Sequence, residues 1–133
     1  MVILFDRFNL PDDIFEVIFA TSQQKIVARE LIKYMIENGS EISKSLMSIF
    51  ATKLHDGKYE CVLDVAPYKG KKVKLSYNKR QFYDRILTPM KAMGIIDYDL
   101  YKKTYKISTK FTNDLMSIGL MWKKELRKLG QAV

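Results

Sequence analysis

The sequence predicts an α+β protein in which helices alternate with two short β-hairpins. Several stretches carry apolar residues at helical spacing, begin at residues that can cap a helix and end at a glycine. Two other stretches, residues 59–77 and 95–108, contain short apolar and aromatic runs separated by polar turn residues, which is typical of paired strands. The chain has 133 residues, of which 47% are hydrophobic and 29% charged, and this composition indicates one globular domain.

Membrane insertion, export and disulfide bonding are all disfavoured by the sequence. No apolar run is long enough to span a bilayer. The first residues also lack the basic start and long apolar run of a signal peptide. Cys61 is the only cysteine, so no disulfide can form within the chain. We therefore expect a cytoplasmic protein with no membrane partner.

Positive charge is concentrated in the second half of the chain. Residues 1–60 carry 7 basic and 9 acidic side chains, a net charge of −2, whereas residues 61–133 carry 16 basic and 6 acidic ones, a net charge of +10. These sums give the overall charge of +8. The basic residues are spread over several predicted elements instead of one amphipathic helix. This favours a polyanion over an anionic membrane as the partner.

The first 20 residues are predicted to form an N-terminal arm that contains one short helix. Pro11 suits the first turn of a helix, because its missing N–H would be unpaired there in any case. Asp12 and Asp13 suit the positive end of the helix dipole. The apolar run that follows leaves a strand over residues 15–20 as the alternative.

Two long helices with broad apolar faces are predicted next. The first begins at Thr21 or Ser22 and stops at Gly39. Ser40 is predicted to cap the second, which covers residues 41–55 and ends at an Asp-Gly pair. A helix that is apolar over more than half of its circumference, as the first one is, belongs at the centre of the packing.

After the hairpin at residues 59–77, a further helix is predicted between Asn78, which can cap its first turn, and Gly94, which can end it. Its apolar residues recur every three or four positions and so form one face, which consists of Phe82, Ile86, Met90 and Met93. At about 100° per residue, polar side chains gather on the opposite face, which consists of Arg80, Gln81, Asp84, Thr88 and Lys91. An apolar face would hold the helix on a core, and the other face could recognise bases or phosphates.

This part of the chain contains three features in order: a predicted helix that includes Pro89, a short run that ends the helix, and a basic hairpin. The run is Met90-Lys91-Ala92-Met93-Gly94-Ile95-Ile96. This arrangement resembles the recognition helix and wing of winged helix-turn-helix regulators of the PadR and MarR type, including crenarchaeal and archaeal-virus relatives. The resemblance covers residues 77–110 and implies a winged-helix core over residues 21–110. It favours a continuous helix kinked at Pro89, and the alternative is a helix split into two pieces near Thr88.

The hairpin before this helix departs from the family pattern, because helix-turn-helix proteins usually join the two helices by three or four residues. Either the hairpin is an insertion or the helix over residues 41–55 is misassigned. With the hairpin and a long last helix included, the predicted fold is a winged helix-turn-helix with an extra β-hairpin before the recognition helix and a long C-terminal helix.

The resemblance implies a sequence-specific protein that binds double-stranded DNA and is associated with the nucleoid. It would be a dimeric transcriptional regulator that inserts helix 79–93 into the major groove. Because arginine suits guanine and glutamine suits adenine, the candidate base contacts are Arg80, Gln81, Asp84 and Thr88. The candidate backbone contacts are Lys72, Lys74, Lys79, Tyr83, Arg85, Lys91, Lys102 and Lys103. The alternatives are an architectural or plasmid or viral partition protein with low sequence specificity, and a winged-helix module that binds other proteins.

The last helix is predicted from Asn113 to about Leu129, with Thr112 as its cap, within a C-terminal segment of residues 111–133. Its apolar residues form a narrow stripe of the kind that joins two helices. A second apolar set lies off this stripe, at Met116, Leu120 and Met121. Because one domain rarely needs two apolar faces on its last helix, a homodimer contact is predicted through Leu115, Ile118, Trp122, Leu126 and Leu129. The alternative is that the helix packs on its own domain, against the N-terminal helix.

Few residues that carry catalytic or metal chemistry are present. One histidine, His55, and one cysteine, Cys61, cannot supply the four ligands of a structural zinc site. The six glycines are scattered and form no phosphate-binding loop. We therefore expect no metal, no cofactor, no small-molecule ligand and no enzymatic activity.

Overall fold

Helices and two small antiparallel sheets make up the described part of the chain, which is residues 7–63 and 70–133 of a computed structural model. The α+β class predicted from the sequence is confirmed. The start of the predicted N-terminal arm and the turn of the first hairpin, within residues 64–69, lie outside the described residues.

The elements follow one another along the chain as α1 (Ile14–Ile18), α2 (Ser22–Glu37), β1 (Glu41–Ser43), α3 (Lys44–His55), β2 (Tyr59–Val62), β3 (Lys72–Leu75), α4 (Lys79–Gln81), a π-helical segment π1 (Phe82–Leu87), α5 (Thr88–Ala92), β4 (Ile96–Asp99), β5 (Thr104–Ile107) and α6 (Lys110–Lys128). We call the continuous run of α4, π1 and α5 the composite helix. One sheet has the strand order β1-β5-β4, and the other pairs β2 with β3.

The first two helices begin and end at residues that satisfy their free backbone groups. The run after Pro11 is helical, so the alternative of a strand over residues 15–20 is wrong. The helix begins later than predicted, because the side chain of Asp13 caps it by accepting a backbone N–H at 2.9 Å, and Pro11 lies before its first turn. Thr21 caps α2 as predicted, and Gly39 follows the helix with φ of +89°.

Strand β1 is the element that the sequence analysis missed. Ser40 was predicted to cap the following helix, but it has φ of +67°, and the next three residues form β1 instead. The strand pairs with β5, with Ile42 opposite Tyr105, and Ile42 is buried. Ser43, three residues later than predicted, caps α3 through its hydroxyl. Pairing with a strand far along the chain decides this conformation, and local sequence carries no signal for it.

Aromatic and aliphatic side chains from α2, α3, β2 and the composite helix form one core. Phe50 of α3 lies at its centre, with ring centroids 5.0 Å from Tyr34, 4.9 Å from Tyr59 and 5.5 Å from Phe82. The predicted apolar face of the composite helix is buried in this core, except for Met93, which is half-buried. The core therefore fixes which face of the composite helix meets solvent.

The composite helix is continuous through Pro89. Backbone angles at Leu87 and Thr88 are right-handed helical, so the helix is not split near Thr88. The Thr88 N–H bonds the carbonyl of Tyr83, five residues back, which is the π-helical pattern. Proline cannot donate a hydrogen bond and crowds the carbonyl four residues before it. We attribute the wider π turn immediately before Pro89 to this crowding.

The last helix starts earlier than predicted and makes one firm connection to the rest of the protein. It begins at Lys110, not Asn113, and the side chain of its N-cap residue Thr109 makes no capping hydrogen bond, whereas the Ser108 hydroxyl accepts the Lys110 N–H at 3.1 Å. The Phe111 N–H donates to the carbonyl of Gly94 at 3.1 Å, which ties the first turn to the end of the composite helix. Gly94 has φ of +78°, and a Cβ there would lie 2.9 Å from Lys110 Cγ. Both the backbone angle and this close approach require glycine.

Candidate nucleic-acid interface

The end of α3 and the start of the composite helix lie side by side, although the hairpin β2–β3 separates them in sequence. The carbonyl of Leu54 accepts the Tyr77 N–H at 2.9 Å, and Nδ1 of His55 accepts the Lys79 N–H at 3.2 Å. The two ends of the hairpin β2–β3 therefore lie close together, beside the end of α3 and the start of the composite helix. The helix over residues 41–55 is confirmed apart from its first three residues, and the hairpin β2–β3 lies between two helices that meet in space.

The polar face of the composite helix is open to solvent, as the sequence predicted. The exposed side chains are Arg80, Gln81, Asp84, Arg85, Thr88 and Lys91. The Arg80 side chain is 91% exposed, and its Nε lies 3.8 Å from the Asp84 carboxylate. An exposed ion pair one helical turn apart stabilises a helix by only about 0.3–0.5 kcal/mol. Arg80 can therefore exchange this partner for a ligand at little cost.

Two of the predicted backbone contacts make packing contacts within the protein instead of projecting freely. Nζ of Lys79 donates to the Thr52 hydroxyl at 3.0 Å. Tyr83 is half-buried, and burial raises the pKa of its hydroxyl while a hydrogen bond with Ser48 opposes that shift. Both side chains join the composite helix to α3. Lys91 remains exposed, with its Nζ 5.8 Å from the ring centroid of Tyr98 in β4.

The turn between β4 and β5 carries Lys102 and Lys103 to the start of α3. The Lys44 N–H donates to the carbonyl of Lys103 at 2.9 Å, which holds the turn against the helix. An open concavity lies between them and is lined by Ser43, Lys44, Ser45, Ser48, Lys102 and Lys103. Three ammonium groups and three hydroxyls beside a helix N-terminus form a basic, hydrogen-bonding surface that suits a phosphodiester.

Sequence reasoning missed the contribution of α3 to this concavity. Lys44, Ser45 and Ser48 were assigned to the interior of a helix that appeared to begin at Ser40. The signal was the run Ser43-Lys44-Ser45, in which a capping serine precedes a lysine and a second hydroxyl in the first turn. This run can be interpreted correctly only if α3 is known to begin at Lys44. The start of α3 in turn depends on strand β1.

Lys72 and Lys74, the predicted backbone contacts on the hairpin β2–β3, are both exposed. The charge of Lys72, however, is neutralised by a carboxylate of the same hairpin. Nζ of Lys72 lies 3.0 Å from the Glu60 carboxylate. The hydrogen bond and charge of Lys72 lower the pKa of that carboxyl. Lys74 is directly opposite Glu60 in the register of the two strands. The net positive charge that the described part of this hairpin offers to DNA is therefore smaller than the number of lysines indicates.

The outer face of the three-stranded sheet is acidic and differs in character from the concavity. Glu41 and Asp97 flank Lys106 across the three strands, and Asp99 lies at the end of β4. The Thr104 hydroxyl donates to the Glu41 carboxylate at 2.8 Å. A negative face repels phosphates. Among the described residues, phosphates would therefore meet less repulsion on the side that holds the composite helix, the start of α3 and the β4–β5 turn, and Lys102 lies at the border with the acidic face.

His55 and Cys61 each have other partners in the described structure. Burial, together with the nearby charge of Glu30, raises the pKa of the Cys61 thiol to about 11, so the thiol stays protonated at neutral pH. Glu30 is only 4% exposed and hydrogen bonds this thiol. His55 instead accepts the backbone N–H at the start of the composite helix. Within residues 7–63 and 70–133, no three His, Cys, Asp or Glu side chains converge in a way that could hold a metal ion.

Helix α6 presents its apolar stripe to solvent. None of its residues is buried, and only Phe111 and Leu126 are half-buried. Trp122 is 63% exposed. The predicted dimer residues Leu115, Ile118 and Leu129 are exposed as well. The alternative in which this helix packs on its own domain is therefore wrong for the described residues.

Comparisons of the chain with protein-family models, with characterised proteins and with solved structures find no match. In the described part of the chain, no helix is both long enough and apolar enough to cross a membrane. The interpretation of the site therefore depends on its own geometry and charge.

Proposed function

We propose that this chain is a winged helix-turn-helix protein that binds double-stranded DNA and acts as a dimeric transcriptional regulator. In this proposal α3 and the composite helix form the helix-turn-helix pair, the hairpin β2–β3 is inserted between them, and β4–β5 is the wing. The strand order β1-β5-β4 supports the assignment, because it joins the wing to a short strand directly before α3.

The observation that carries the proposal is the position of the composite helix. Its apolar face is buried in the core that α2 and α3 form with it, and its polar face is exposed and carries the two side chains best suited to read bases, Arg80 and Gln81. Two hydrogen bonds connect its start to the end of α3 despite the inserted hairpin. A helix held in this way can enter a major groove as a rigid element.

The basic concavity supplies the contacts that would hold such a helix on DNA. Lys44, Lys102 and Lys103 surround hydroxyl groups at the start of α3. Backbone phosphates bound there would fix the register of the protein on the duplex, while the composite helix reads base edges. Arg85 and Lys91 are exposed on the composite helix and would bind further phosphates. Asp84 and Thr88 remain secondary candidates for base contacts.

A second copy of the chain is the proposed occupant of the exposed stripe on α6. Six apolar side chains recur every 3.6 residues on average and lie within an arc of about 80°, namely Phe111, Leu115, Ile118, Trp122, Leu126 and Leu129. The stripe therefore runs straight along the helix. A straight stripe favours a pair of helices that cross at an angle and disfavours a supercoiled pair. Gly119, at the edge of the stripe, has open space around it and allows a close approach.

Charges beside the stripe support pairing with an identical helix. Nζ of Lys110 lies 2.9 Å from the Asp114 carboxylate, and Nζ of Lys128 lies 3.9 Å from the Glu125 carboxylate. Each pair neutralises itself within one helix, so two copies can approach without strong repulsion between like charges. Further basic residues lie on the far side of the helix, at Lys123, Lys124 and Arg127. A two-fold pair would thus bury the stripe and keep these charges in solvent.

The test is selection of preferred sequences from random duplexes, followed by titration of the best site against scrambled DNA at two salt concentrations. We expect a two-fold-symmetric site that is preferred by roughly 10³-fold or more over random DNA. If both duplexes bind equally and with a steep dependence on salt, the result would contradict a sequence-specific regulator and support an architectural or partition protein. Failure to bind DNA at physiological salt would contradict DNA binding and favour a module that binds other proteins.

A further inference from the structure

The turn between β4 and β5 exposes two large side chains that no described residue covers. Leu100 is 75% exposed and Tyr101 is 99% exposed. The next two residues are Lys102 and Lys103, which are also exposed. The proposed roles of this turn account for the lysines, but they give no role to the leucine or the tyrosine.

Hydrogen bonds fix the backbone of this turn, so the points from which Leu100 and Tyr101 project are set. The Asp99 carboxylate accepts the N–H of Tyr101 at 2.9 Å and the N–H of Lys102 at 3.0 Å. The Lys103 N–H bonds the Asp99 carbonyl at 2.8 Å, and the Lys103 carbonyl accepts the Lys44 N–H at 2.9 Å. Four hydrogen bonds thus fix the turn and brace it against α3. A rigid element loses little conformational entropy when its side chains meet a partner.

Lys103 adopts φ of +55°, a left-handed conformation that costs a lysine about 1–2 kcal/mol and that glycine would adopt freely. A lysine at this position places a cation beside the concavity at the start of α3. Backbone strain of this kind persists where the surrounding structure holds it, commonly at binding sites. The turn therefore presents two apolar side chains, Leu100 and Tyr101, next to two cationic ones, Lys102 and Lys103.

We propose that Leu100 and Tyr101 enter the minor groove of the bound duplex and wedge against a base step, which kinks the DNA. The inference rests on the proposed DNA binding. Lys44, Lys102 and Lys103 bind the phosphates beside the groove, and the two side chains extend beyond them. Apolar side chains that enter the minor groove in this way unstack a base step and bend the duplex toward the major groove by about 20–90°.

The charge around the turn selects DNA over an apolar protein surface as the partner of these side chains. A protein groove that received Leu100 and Tyr101 would also have to accommodate the three ammonium groups of the concavity. A duplex supplies phosphates for those groups within the same contact. The base step supplies the apolar surface for the side chains.

The experiment measures the bend of the selected duplex, labelled at its two ends for energy transfer, with and without the protein. A 2-aminopurine placed at successive steps reports unstacking by a rise in fluorescence. We expect the full chain to bend the duplex by at least about 20° and to unstack one step in each half-site. The variant Leu100→Ser/Tyr101→Ser should bind more weakly, by about tenfold, and leave the duplex straight and stacked.

Lys102→Ala is the matched control. It removes a phosphate contact from the same turn, so it should weaken binding while the complexes that form stay bent. Thermal unfolding of each variant checks the fold, which these exposed substitutions should leave unchanged. A wild-type protein that binds the selected duplex and leaves it straight overturns this inference alone, and so does a double variant that bends the duplex as the wild type does. A wild type that binds no duplex overturns both this inference and the proposed function.

Discussion

Single residues on the composite helix differ in how free they are to meet a ligand. Arg80 is held only by a long, exposed ion pair with Asp84, whereas Lys79 and Tyr83 are engaged by side chains of α3. Sequence spacing assigned all of them to one binding surface. Packing distinguishes them, because a side chain that already has partners must break those contacts before it can bind DNA.

The first prediction is made at this scale. Arg80→Ala should weaken binding to the preferred site by about 1–3 kcal/mol, and it should change binding to random DNA far less, because a base contact is lost. Lys102→Ala should weaken both duplexes alike and reduce the slope of log K against log salt by about 1. Fluorescence anisotropy titrations at several salt concentrations measure both effects.

Lys106→Ala is the control for these two variants, because Lys106 is exposed on the acidic outer face of the sheet, opposite Asp97 and Glu41. Its binding to both duplexes should equal that of the wild type. Equal losses for Arg80→Ala on preferred and random DNA would remove Arg80 from the residues assigned to base recognition.

At the scale of the element, α6 and the composite helix contrast in how they are held. The composite helix is fixed on the core by its buried face, and it accommodates Pro89 through a π turn. Helix α6 has 19 residues and a length of about 28 Å, yet none of its residues is buried. Most of the stability of helices in proteins comes from packing an apolar face, and α6 buries no such face among the described residues. A partner that covers the stripe would supply the missing stabilisation.

The second prediction follows from this exposure. Trp122→Glu should raise the dissociation constant of the homodimer by about 30-fold or more, because a buried tryptophan at the centre of an interface commonly contributes 2 kcal/mol or more. Sedimentation velocity over a range of protein concentrations measures the constant. Lys124→Glu, on the far side of the helix, also introduces a glutamate into α6, and it should leave the dimer intact. A wild-type chain that stays monomeric at high concentration would contradict the proposed pairing.

At the scale of the whole molecule, the described part of the three-stranded sheet carries acidic side chains beside the basic concavity, and Lys102 borders both surfaces. The outer face of the sheet holds Glu41, Asp97 and Asp99, and the concavity at the start of α3 holds three lysines. The net charge of +8 thus understates the positive potential of one side of the described structure. Such a distribution orients the protein toward a polyanion and makes binding sensitive to salt.

The third prediction concerns this dependence on salt. If each protomer neutralises at least three phosphates, a dimer loses about 10³-fold or more in affinity between 50 and 200 mM salt. Trp122→Glu, as a monomer, should show about half the wild-type slope on the same duplex, since slopes scale with the number of phosphates neutralised. The same slope for both proteins would mean that only one protomer contacts DNA.

The sequence by itself determined the elements whose signals are local. Capping side chains at Thr21 and Asn78, the positive φ of Gly39 and Gly94 and the apolar periodicity of the composite helix all act within a few residues. These interactions hold in any context that leaves the segment helical, so the pattern predicts them directly. The exposed polar face of the composite helix, which is the centre of the candidate site, was predictable for the same reason.

Only the tertiary structure decided the features that depend on distant partners. Strand β1 exists because β5 pairs with it, and this pairing moves the start of α3 to Lys44 and creates the basic concavity. The composite helix starts beside the end of α3, across the intervening hairpin, because the Tyr77 N–H bonds the Leu54 carbonyl. The exposure of the α6 stripe likewise depends on the fact that the other described elements do not pack on it. Periodicity identifies an apolar face, but only the three-dimensional arrangement decides whether the same chain buries it.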